Sequence, residues 1–213
     1  GRRSAALALA ALASCAGQAA AGAYRWPDAL MGQRTSDRVS AGKRAAKYIA
    51  CSVCEERLLA LFPPESDADT MSRIVGEELG DWLGNAKKLC EMKDLANLFR
   101  GRRLEVRGNP DGSAVLEVNE AKMPFYEEIN LSELVFHWKS FAVQHACAEA
   151  FRRDGDAVAR SFAGGYGELE AAAGDAAATA EELRARVLAA AKGACRRAKT
   201  CRAADKLLAG KEL

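Results

Sequence analysis

The chain has 213 residues, of which 49% are hydrophobic, 28% charged and only 7% aromatic, which is ordinary material for one domain of moderate size. Its formal net charge of +2 vanishes when Arg2 and Arg3 are set aside, because 31 basic groups then become 29, against 29 acidic ones. Such a balance argues against a general nucleic-acid binder, and no stretch after the first segment is apolar enough to cross a bilayer.

Residues 1–23 read as a signal peptide. Arg2-Arg3 supplies a basic start, Ala5 to Ala13 a short apolar run, and Ala21-Gly22-Ala23 an A-x-A cleavage pattern that leaves Tyr24 as the mature start. A rival reading of Leu12-Ala13-Ser14-Cys15 is a lipobox, in which Cys15 is lipid-modified and becomes the N-terminus. Either way the chain leaves the cytosol. Apart from Cys15 six cysteines remain, and in an oxidising compartment an even set defaults to disulfides, with fifteen pairings open to it.

Residues 24–42 are polar and mixed, and an irregular arm is expected there. From Lys43 to Phe62 the apolar residues Ile49, Val53, Leu58 and Leu61 recur at helical spacing, with Cys51 and Cys54 three apart on one side, until Pro63-Pro64 stops the helix. Ser66, Asp67 and Asp69 offer caps for a second helix to about Arg100. Gly76, Gly80 and Gly84 weaken it by about 1 kcal/mol each, so a break is expected near Gly84.

Residues 104–120 change period. Leu104, Val106, Leu116 and Val118 alternate with polar residues around Asn109-Pro110-Asp111-Gly112, which predicts a small inserted β-hairpin. Asn130-Leu131-Ser132 is an N-glycosylation sequon with Asn130 as acceptor, and Ser132 opens a helix from Glu133 to Asp154 that carries Cys147. Five glycines between residues 154 and 175 predict a loop; Gly164-Gly165-Tyr166-Gly167 lacks the strand and the Lys-Ser/Thr of a phosphate loop. A last helix is expected over residues 176–208, its basic final turns opposing the helix dipole, with residues 209–213 as a tail that partly matches an ER-retrieval signal.

Two basic strips stand out as contacts for anionic lipid head groups: Arg100, Arg102, Arg103 and Arg107 at the hairpin base, and Arg196, Arg197 and Lys199 near the C-terminus. A solvated face is their alternative. Cys51-x-x-Cys54 also invites a thiol oxidoreductase reading, but the pair lies inside a predicted helix with no strand before it. A zinc site built from Cys51, Cys54, Cys195 and Cys201 has the wrong second spacing. His137 and His145 are the only histidines and have no nucleophile beside them, nor is there a G-x-S-x-G. No catalytic residue, cofactor or metal is expected.

The cysteine order C-x2-C, C, C, C-x5-C, formed by Cys51, Cys54, Cys90, Cys147, Cys195 and Cys201 on amphipathic helices, resembles the saposin-like (saposin B-type) family over about residues 43–205. The resemblance implies that Cys51 joins Cys201, Cys54 joins Cys195 and Cys90 joins Cys147. It implies a mainly α, disulfide-stapled bundle of four to five helices over residues 43–208. The long interval between Cys90 and Cys147 looks closer to the ER-luminal canopy-type branch, whose members act around client-protein folding. The expected function is therefore non-enzymatic binding in the secretory pathway, whether in the ER lumen or after secretion, of a lipid or membrane surface or else of a luminal client protein.

Overall fold

A 25-residue helix, α1 (Thr35–Leu59), forms one long side of the molecule. In the computed structural model, residues 23–27, 34–62, 66–121, 123–173 and 179–210 are described. Most of the expected signal peptide and the last three residues of the tail lie outside them. The helix begins eight residues before the expected start, so the second half of the supposed irregular arm is helical. The reason is packing: Ala41, Gly42, Ala45, Ala46, Ile49 and Val53 form a buried stripe of mostly small residues along its inner face.

That stripe lies against α8 (Trp138–Ala173), the longest helix at 36 residues, about 54 Å. The two backbones approach so closely that a Cβ at Gly42 would meet Phe141 Cβ at 2.4 Å. Here the sequence expectation needs correcting, since residues 154–173 are helix and not loop. Gly155 sits where a Cβ would meet the Leu83 carbonyl oxygen at 2.5 Å, so it serves a close helix crossing. Val158, Phe162 and Tyr166 are buried beyond it, with Phe162 stacked on Phe62 at 5.1 Å, and this burial offsets the low helix propensity of the later glycines.

Between these two helices the chain runs in short pieces: α2 (Ala68–Arg73), a π-helical turn (Ile74–Glu78), α3 (Leu79–Gly84), α4 (Ala86–Leu89) and α5 (Met92–Arg102). Asp67 caps α2 by accepting from Thr70 N. The break expected near Gly84 falls at Asn85, whose side chain caps α4 by accepting from Lys88 N. Arg103, in the left-handed region at φ 52°, turns the chain into the hairpin.

Strands β1 (Leu104–Gly108) and β2 (Ala114–Val118) pair antiparallel with Leu104 opposite Val118 and Val106 opposite Leu116. Leu104, Val106 and Ala114 face the core, while Val118 is 58% exposed. Two short helices follow, α6 (Phe125–Glu128) and α7 (Leu131–Leu134). The single helix expected from Glu133 is interrupted at residues 135–137, and α8 starts afresh with His137 Nδ1 accepting from Lys139 N at 3.2 Å.

The expected last helix is two. A capping box of Thr179 and Glu182 opens α9 (Ala180–Arg197), and the chain turns at Ala198 (ψ 142°) into α10 (Lys199–Leu208). The result is a mainly helical fold with a small two-stranded sheet, whose core follows the contact of α1 with α8, with α9 and α10 packed on both and α3 to α5 packed on α8.

Candidate functional site

Three disulfides fix the geometry. Cys51 of α1 bonds Cys201 of α10, Cys54 of α1 bonds Cys195 of α9, and Cys90 after α4 bonds Cys147 of α8, with Cα separations of 4.8, 6.0 and 5.7 Å. Five of the six cysteines are buried and Cys51 is half-buried. Cys51 and Cys54 thus face different helices rather than each other. Three such bonds fit an oxidising, secretory or extracellular environment, and among the described residues no helix is long and apolar enough to cross a membrane.

The bond between Cys51 and Cys201 holds α10 beside α1, and α8 packs against both. These three helices bound a groove of about 1060 Å³. Ala46, Ala203 and Leu207 give it an apolar floor, and Lys43, Lys47 and Lys199 stand on its rim. The rim lysines are exposed and make no ion pair among the described residues.

The groove's two carboxylates are occupied. Asp154, buried in α8, accepts the Lys199 backbone N–H at 2.9 Å and the Thr200 hydroxyl at 3.4 Å, so it caps α10 from a different helix. Glu149 pairs with Arg152 and Arg153 of its own helix. His145 also lines the groove, and its pKa is lowered by burial first and by Lys43 second, against Glu149. A surplus of positive charge therefore overlies an apolar floor.

The two basic strips come out differently. At the hairpin base, Arg100 donates to the carbonyls of Tyr126 and Ile129, Arg102 pairs with Glu56, and Arg107 pairs with Glu117 at 2.6 Å. Only Arg103 of that strip has an exposed side chain without an ion pair among the described residues. At the other end Arg196 and Arg197 are exposed at the close of α9, one residue short of Ala198 and the groove residue Lys199. Near them Glu55, half-buried on α1, has its pKa raised by burial while Lys192 and Arg196 act in the other direction.

Asn130 is exposed and caps α7 through its side-chain oxygen, which accepts from Glu133 N and from the Ser132 hydroxyl. A second cavity, of about 700 Å³, lies between residues 23–27, the hairpin and residues 125–139. It contains His137, whose pKa is lowered to about 4 by burial, with Lys139 and Arg38 acting in the same direction. Lys139 pairs with Glu105 and lies 4.7 Å over the Phe125 ring. Among the described residues no group of three or more His, Cys, Asp or Glu is placed to hold a metal ion.

The fold and the groove define a disulfide-clasped, mainly helical protein with a cation-rimmed apolar groove. Comparison with protein-family models, with curated proteins and with solved structures returned no match.

Proposed function

We propose that this is a non-enzymatic, secretory-pathway protein that binds anionic lipid in the groove between α1, α8 and α10. The carrying observation is the conjunction of an apolar floor at Ala46, Ala203 and Leu207 with three lysines that have no carboxylate of their own. A lipid tail covers the floor and its head group meets the lysines, so both halves of an amphiphile are satisfied at once. Arg196 and Arg197 extend the positive rim toward a membrane surface, an attraction that weakens with salt. The cysteine order, through its resemblance to the saposin-like family, supports the same reading. An N-linked glycan at Asn130 is compatible with it, because the capping bonds use the side-chain oxygen and leave the nitrogen.

Oleate and oleyl alcohol, titrated against a fluorescent fatty acid, test this reading. Oleate should bind at least tenfold more tightly than the alcohol, a difference of about 1.4 kcal/mol. Lys43→Glu with Lys47→Glu should abolish that preference without altering the melt, since both side chains are exposed. Equal binding of both probes, or an indifferent double variant, removes the reading.

A second reading, a luminal protein-interaction module of canopy type, is favoured by Phe136, which is 53% exposed at the corner between α7 and α8 beside the exposed Val135. Loss of a salt-resistant client complex in Phe136→Ser, with oleate binding unchanged, would select it.

A further inference from the structure

We infer that the chain is cut between Ala23 and Tyr24, and that the new α-amino group of Tyr24 docks on the tip of the hairpin as a fixed part of the fold. The inference is independent of what the groove binds. Over residues 23–27 burial sets in with the rings: Ala23 and Arg25 are exposed, Tyr24 is half-buried, and Trp26 and Pro27 are buried. The segment after the proposed cut is anchored; the bond to be cut is open to solvent on the Ala23 side.

The anchoring comes from both faces of the hairpin tip. Tyr24 N donates to the Pro110 carbonyl at 2.5 Å, and Trp26 Nε1 donates to the Asn109 carbonyl at 2.8 Å. The Trp26 ring lies flat on Trp138, with centroids 4.5 Å apart, and occupies the space where a side chain at residue 108 would stand: a Cβ on Gly108 would meet it at 2.4 Å. Arg44 joins the two sides, with its guanidinium 4.4 Å over the Tyr24 ring and Nε donating to the Gly112 carbonyl at 2.8 Å. Residues 24–27 are thus strapped to residues 108–112 through backbone, ring and cation.

The sequence before the strap has what an export endopeptidase reads, with small residues Ala21 and Ala23 at the two recognised positions behind a basic start and an apolar run. The reaction is hydrolysis with water as co-reactant. The amide C–N bond breaks, the carbonyl carbon of Ala23 takes the water oxygen and becomes a carboxylate, and the Tyr24 nitrogen takes the protons and becomes an ammonium. One N–H keeps the Pro110 carbonyl, beside the cavity that Tyr24 lines. A charged donor holds a carbonyl more strongly than the amide N–H it replaces. Arg44, whose guanidinium lies over the Tyr24 ring, opposes the new charge.

The whole chain, expressed in a secreting host cell and sequenced from its N-terminus, tests the cut. Tyr24-Arg25-Trp26 should be the first three residues. The chain beginning at Tyr24 should also melt about 2–4 °C above its enzymatically N-acetylated form, the shift that about 1 kcal/mol produces at this size. A product that starts at another residue, an acylated Cys15, or retention of residues 1–23 overturns the cut. Equal melting temperatures for the free and acetylated forms overturn the docking.

Discussion

Asp154 of α8 accepts the backbone N–H of Lys199 at 2.9 Å, so that a carboxylate of one helix caps the first turn of another 45 residues later in the chain. Ala198, the residue at that helix start, has no side chain to do so. Asp154→Ala should therefore lower stability by about 1–2 kcal/mol, seen as a lower denaturant midpoint with an unchanged slope. It should also weaken oleate binding, because α10 supplies one wall of the groove. Asp154→Asn, which keeps an acceptor, should recover most of both. A midpoint equal to that of the parent protein would refute the capping role.

Cys90 and Cys147 close a loop with a sequence separation of 57. Cys90→Ala leaves Cys147 buried and single in α8 and removes a constraint worth about 4 kcal/mol in the loop-entropy model. A clear drop in melting temperature is expected, and the further drop on adding reductant should be smaller than in the parent only by the share of this one bond, since Cys51–Cys201 and Cys54–Cys195 remain reducible in both. Non-reducing peptide mapping checks the same bond directly, and a melt indifferent to both changes counts against it.

His137 is 7% exposed and titrates near pH 4, below its ordinary 6.5. The folded chain then binds fewer protons than the unfolded chain between these values. Its contribution to stability is complete above about pH 6.5 and is lost as pH falls toward 4, by about 3 kcal/mol. Protonation also turns the Nδ1 acceptor that holds Lys139 N into a donor. Denaturant melts across this range should show a shallower slope in His137→Asn, which removes the titration and keeps an acceptor. Parallel pH profiles for parent and variant would exclude His137 as the source.

Two glycines of one helix should respond in opposite directions to alanine. At Gly155 the added carbon meets the Leu83 carbonyl oxygen at 2.5 Å, so the crossing of α3 and α8 must shift, at a cost of about 1–3 kcal/mol. At Gly164 a Cβ has nothing within 4 Å, and the better helix former should raise stability by up to about 1 kcal/mol. Thermal melts of the two variants decide it, and shifts of the same sign would contradict the packing described for α8.

Local chemistry was legible where one short stretch carried the whole signal. Turn residues 109–112 and alternating Leu104 and Val106 marked the hairpin, and Asp67 marked a helix start. Residues 35–42 have the polar composition of an irregular segment, and the small-residue stripe that begins at Ala41 and Gly42 has value only against α8. Gly155 carries the same local signal as a loop glycine, whereas its role lies in the neighbouring helix. The breaks at residues 135–137 and at Ala198 have no proline and no glycine to announce them. The groove was beyond a linear reading, since Lys47, His145 and Lys199 come from three separated segments. In sequence Lys199 belongs to a charged strip with Arg196 and Arg197, and only the fold puts it on the rim of a cavity.

The bonds from Cys51 to Cys201 and from Cys54 to Cys195 also make the polypeptide between them topologically a closed ring. A protease that nicks any one peptide link between residues 55 and 194 does not release a fragment. The nicked molecule keeps its full mass plus one water until a thiol reagent separates its parts, so ordinary denaturing gels run without reductant would score a damaged molecule as intact.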